Sequence, residues 1–101
     1  MAYHHLVGHR ASARDGPTKT DLLAAEAFTI GLVSLDTGQE IEPHPEPYEV
    51  FFFVLEGAGE FVTGDGTVEL TDGDALYLES GEQRGIQCTE PLTILGVQDT
   101  Q

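Results

Sequence analysis

The sequence predicts an all-β fold, a sandwich or closed barrel of short strands, and three observations carry that expectation. From residue 28 onward, short apolar runs recur at roughly eight-to-twelve-residue spacing with turn residues between them. Two Asp-Gly steps, Asp65-Gly66 and Asp72-Gly73, separate strand-like runs, which is the strongest short-range hairpin signal. The run VFFFVL over residues 50–55 is apolar at consecutive positions and rich in strand formers. Such a strand has no wet face: one side fills a barrel, and the other needs cover from a second sheet or a partner subunit. A homodimer is therefore expected.

The elements follow in chain order. Residues 1–20 alternate poorly and contain Gly8, Gly16 and Pro17, so they read as a flexible N-terminal arm, with a short strand over residues 3–7 and a loop at ARDGPT. Its histidines, His4, His5 and His9, read as exposed side chains of that arm, because a loose cluster must be ordered before it can chelate. A single barrel domain is expected over residues 21–101. Its first stretch, DLLAAEAF behind Thr20, has a plausible helix cap and good helix formers but runs into strand formers. Residues 22–27 therefore stay open between helix and strand, and 28–35 read as a strand. Further strands are expected over residues 40–42, 48–55, 59–63, 67–71, 75–78, 84–88 and 92–97, with breaks at Thr37-Gly38, Glu56-Gly57, Gly64-Asp65-Gly66, Asp72-Gly73-Asp74, Ser80-Gly81 and Glu90-Pro91.

Composition bounds the function. The 101 residues suit one domain with a single core, and the formal charge is -14, from 18 acidic residues against 4 Lys and Arg. After Lys19 the only formal cation is Arg84. Such a surface repels phosphate backbones and anionic membranes, so neither nucleic acid nor a membrane is an expected partner. It suits solubility at high ionic strength, as in a salty cytoplasm, where salt screens the self-repulsion. No apolar run is long enough for a membrane span and no signal-peptide core precedes the domain, so a cytoplasmic protein is expected. The lone Cys88 excludes an internal disulfide framework and a zinc ribbon.

Two motifs over residues 38–88 then resemble those of the cupin family. Gly38, His44 after five intervening residues, and Gly57 are similar to G-x5-H-x-H-x3-E-x6-G; Gly73, Gly81, Arg84 and Cys88 are similar to G-x5-P-x-G-x2-H-x3-N. The resemblance implies a small single-domain jelly-roll β-barrel, also called a double-stranded β-helix. It also implies one divalent ion, of iron, manganese, nickel or zinc, held by three histidines and a glutamate, and often oxygenase or isomerase chemistry.

The departures are specific. His44 matches the first ligand, but Glu46 stands at the second histidine, Val50 at the glutamate and Arg84 at the last histidine. A guanidinium stays protonated at physiological pH and has no lone pair for a metal. Glu49 lies one residue out of register, which in a strand turns a side chain to the opposite face unless a bulge intervenes. The candidate ligand-binding residues are thus Arg84, His44, Glu46 and Tyr48, and the candidate metal ligands, if an ion is held, are His44 and Glu46.

Arg84 is expected to face Glu46 as an internal ion pair with His44 alongside; the alternatives are a clamp for an anionic ligand and an outward-pointing side chain. Pro43, Pro45 and Pro47 stiffen the segment that carries His44 and Glu46. Cys88 shares strand parity with Arg84 and Ile86 and is expected to point into the core, while Tyr48 and Tyr77 are candidates for the barrel mouth. No catalytic residue is assigned. Two readings stay open: a non-catalytic barrel that has lost its metal and binds a small molecule or serves as a dimeric module, and a metal-dependent enzyme with a reduced shell of His44 and Glu46 completed by waters or Gln87. The first leads because no cofactor is favoured once a cation occupies a ligand position.

Overall fold

The computed structural model describes residues 1–6 and 13–99. These form seven strands and no helix: β1 (Thr18–Ala24), β2 (Phe28–Leu35), β3 (Glu40–Pro45), β4 (Val50–Thr63), β5 (Gly66–Thr71), β6 (Ala75–Leu78) and β7 (Gln83–Asp99). Every pairing is antiparallel. The first half of β4 pairs with β6 and with the last third of β7, which pairs onward with β2 and then β1. The second half of β4 pairs with β5 and with the first part of β7, which also carries β3. The two long strands therefore run through two sheets, folding the chain into a jelly-roll barrel.

Both long strands bend at one corner, where the β4–β7 register shifts three times between Val54 and Gly59. The sequence signals Glu56-Gly57 and Glu90-Pro91, read as strand ends, lie inside β4 and β7 at that corner. Glycine and proline accommodate bulges as readily as turns, so the same residues bend a strand without ending it. The two Asp-Gly turns close as expected: Asp65 precedes Gly66 at φ 126°, and Asp74 donates its backbone N–H to Thr71 across Gly73.

β1 takes the first half of the segment left open between helix and strand, to Ala24, and residues 25–27 link it to β2. Thr18 and Lys19 lie opposite Ser34 and Val33 of β2, and Leu23 lies opposite Ile30. Pairing along a whole edge of β2 outweighs a modest helix propensity in DLLAA. The sheet thus takes up the last residues of the stretch read as an arm. Tyr3–Leu6 form no strand, whereas Val7 and His9 lie outside the described residues. His4 and His5 are exposed.

The core sits between the sheets and is built from Leu35, Val54, Phe61, Leu70, Ile86, Cys88, Leu92 and Ile94. Alternation along β4 sends Val50, Phe52 and Val54 inward and Phe51 outward, so Phe51 is 44% exposed while Val54 is fully buried. Cys88 points inward as expected and donates its thiol hydrogen toward the carbonyl of Glu90 or Leu35.

The acidic surface leaves like charges face to face: Glu60 of β4 and Glu69 of β5 are directly opposed and exposed. Opposed like charges destabilise a sheet, and salt screens them. The melting temperature is expected to rise from dilute buffer to molar salt, and Glu69→Lys to flatten that rise. A salt-independent melting temperature would show that self-repulsion does not limit the fold.

Candidate functional site

One end of the barrel opens into a cavity of about 290 Å³. β3 and β7 bring the two motifs together there, with His44 directly opposite Arg84 in the strand register. Gly85 permits the approach, because a Cβ there would come within 2.8–2.9 Å of Pro43. Val50 and Phe52 of β4, Ile86 of β7, and Gly31 and Val33 of β2 supply much of the remaining wall.

Arg84 is 6% exposed. Its Nε donates to the carbonyl of Glu82 at 3.1 Å, and its Nη2 to those of Tyr48 at 3.1 Å and Glu79 at 3.0 Å. The guanidinium also lies over the Tyr48 ring, 5.1 Å from the centroid. Burying a guanidinium is costly unless it is hydrogen-bonded, and here the backbone supplies the bonds. The expected ion pair with Glu46 is not formed: among the described residues no carboxylate pairs with Arg84. The physical reason is local. The turns around Tyr48 and Ser80-Gly81 deliver three carbonyls to the guanidinium, while β3 ends at Pro45, so strand alternation no longer aims residue 46.

Glu46 turns instead to His44, whose Nε2 lies 3.2 Å from Oε1. His44 Nδ1 faces the carbonyl of Glu42 at 2.9 Å, so both ring nitrogens face oxygens and a metal would have to displace one of them. Tyr48 lines the cavity; burial, then the charge of Glu46 and its hydrogen bond, push the phenol above its ordinary pKa, against the opposing pull of Arg84. Glu46 itself is not part of the cavity wall.

Other candidates separate from the site. Glu49 is exposed on the outer side, where its backbone N–H donates to the Asp99 carboxylate at 3.0 Å, so no bulge brings it inward. Tyr77 is 52% exposed on the outer face opposite Phe51, away from this mouth. Gln87 is exposed and donates to the Glu40 carboxylate at 3.2 Å. Sequence reasoning missed Lys19, Thr18 and Gln98, which also line the cavity. The alternation TKTDLL was the available signal for the first two.

The residues present do not fit the divalent ion that the motifs imply. Among the described residues no group of three or more His, Cys, Asp or Glu side chains is arranged to hold a metal. Of the four motif positions only His44 carries an imidazole, and Arg84 places a fixed positive charge opposite it.

Comparisons with known proteins agree with this architecture. The chain superposes on TT1209 from Thermus thermophilus with a TM-score of 0.89 at 20% identity, covering 98% of this chain and 97% of that one. For an RmlC-like cupin protein from Desulfovibrio desulfuricans the TM-score is 0.87 at 24% identity, over 98% and 96% of the two chains. For KdgF from Halomonas sp. it is 0.85 at 17% identity, over 100% and 94%. At these identities the likeness carries the fold alone. No curated protein matches the sequence. The model of the cupin domain matches residues 31–97, which include both motifs, and the chain belongs to the cupin domain family.

Proposed function

We propose that this cupin has a degenerate metal site and works as a non-catalytic barrel that holds a small molecule. The observation that carries the reading is Arg84: a buried, backbone-tethered guanidinium stands where a metal-binding histidine would, on the wall of a cavity of about 290 Å³. A cavity of that size lies at the lower end of small-molecule sites and has the mostly apolar lining such sites use. His44, Tyr48 and Arg84 are its binding residues, with Glu46 holding His44 in place. A cytoplasmic setting belongs to the same reading, supported by a lone buried cysteine and a surface suited to high ionic strength.

The test is metal content. Protein purified without chelator is expected to carry iron, manganese, nickel and zinc well below one ion per chain. Near-stoichiometric metal that disappears in Glu46→Ala would favour the metal-dependent oxygenase or isomerase reading instead.

We also infer a homodimer through the outer face of the β6–β4–β7 sheet. Phe51 is exposed there between Tyr77 and Val97, its register neighbours, and among the described residues no second layer covers it. Exposed aromatic clusters of this kind mark interfaces. Sedimentation above micromolar concentration is expected to give the mass of two chains, and Phe51→Glu the mass of one. A single-chain mass for the unaltered protein would remove the inference.

A further inference from the structure

We infer that the cavity takes a small organic monocarboxylate, its carboxylate toward Arg84 and Lys19 and its compact apolar body against Val50, Phe52 and Ile86. This rests on the reading of the barrel as a small-molecule site and adds the chemical class of the ligand. Two independent observations carry it.

The first is the segregation of charge. The sequence has 4 Lys and Arg against 18 acidic residues, yet two of those cations, Lys19 and Arg84, line this cavity together with His44, and no acidic residue forms its wall; the Asp21 carboxylate lies outside it, near Gly31 beside Lys19. Glu46, at the rim, is engaged by His44. A concave apolar wall concentrates the field of the cations it contains, so the cavity favours an anion on a molecule that otherwise repels anions.

The second is unmet hydrogen-bonding capacity. Among the described residues, two buried side-chain polar atoms lack a partner: Arg84 Nη1 and Thr18 Oγ1. Both residues line this same cavity, on β7 and β1. A buried donor left unpaired costs free energy, and a ligand oxygen would relieve it. The rest of the guanidinium is fixed by the carbonyls of Tyr48, Glu79 and Glu82, so its remaining N–H group is preorganised rather than mobile. The donor supply is small and the wall mainly apolar, which suits a singly charged carboxylate better than a phosphate dianion.

The experiment titrates isotope-labelled protein by NMR with butyrate, 4-methylpentanoate, benzoate and 3-phenylpropionate, each beside its uncharged primary amide. At least one acid is expected to shift the Val50 and Ile86 methyl signals saturably and to bind at least about tenfold tighter than its amide. Lys19→Met, at an exposed position that leaves the fold intact, is expected to weaken the acid several-fold and leave the amide unchanged. Arg84→Gln should abolish the preference for the acid, and the Lys19 variant keeps the test decisive if Arg84→Gln does not fold. Equal binding of acid and amide overturns the anion assignment while the small-molecule reading stands. No shift of the cavity signals by any probe up to about 10 mM overturns both.

Discussion

Phe61→Ala should lower the unfolding free energy by about 3–5 kcal/mol. Phe61 is 1% exposed and packs tilted against Phe52, with ring centroids 6.1 Å apart. It belongs to the half of β4 that joins β5 to the first part of β7, opposite Val68 on one side and Ile86 on the other. Truncation therefore removes ring surface from both sheets and leaves a void that two paired strands cannot collapse to fill. A domain of this size has about 5–15 kcal/mol in total, and each kcal/mol is worth roughly 4–8 °C in melting temperature. In dilute buffer the variant is expected to be largely unfolded, and in molar salt to melt far below the parent. Val68→Thr, at the neighbouring but exposed position, should change stability by no more than about 0.5 kcal/mol. Equal losses at the two positions would mean that the core does not lie where the structure places it.

The fold was legible because its signals are local. Strand 28–35 lies as the alternation and turn residues indicated, and so does 75–78. What the sequence hid was continuity. Gly57 and Pro91 carry the same signal whether a chain reverses or merely bends, and only the pairing partner across the sheet decides between them. The segment left open at residues 22–27 shows the reverse case: pairing along β2 overrides local propensity as far as Ala24, and residues 25–27 link the two strands.

The site was half legible. The motif positions His44 and Arg84 lie opposite each other in the β3–β7 register, whereas the expectation set Arg84 against Glu46 with His44 alongside. The partner of Arg84 was not readable, because backbone carbonyls at Tyr48, Glu79 and Glu82 carry no side-chain signature. Sequence reasoning weighs charges against charges and so chose Glu46. Lys19 escaped because its element was read as an arm, although its position opposite Val33 sets it at the cavity.

Gly57→Ala should cost at least about 3 kcal/mol, far more than alanine at the other glycine of the first motif, Gly38, where the cost should be about 1 kcal/mol. Both glycines have left-handed backbone, with φ of 100° at Gly57 and 88° at Gly38, so both substitutions incur the penalty of placing a Cβ there. They differ in surroundings. At Gly38 nothing lies within 4 Å of the added carbon, whereas at Gly57 it would overlap the backbone carbonyl of Pro91 and come within 2.8 Å of the Leu92 Cα. Those atoms are main chain at the β7 bend, and Leu92 is fully buried, so neither strand can give way without opening the core. The Gly57 N–H also donates to the Asp72 carboxylate at 2.7 Å, which ties the bulge to the turn before β6 and resists any relief by rotation of the peptide. Urea unfolding in molar salt measures both variants, with the midpoint expected to fall several times further for Gly57→Ala at an unchanged slope. Similar midpoints for the two would show that the positive φ alone sets the requirement for glycine and that the β4–β7 corner is looser than its close approach implies.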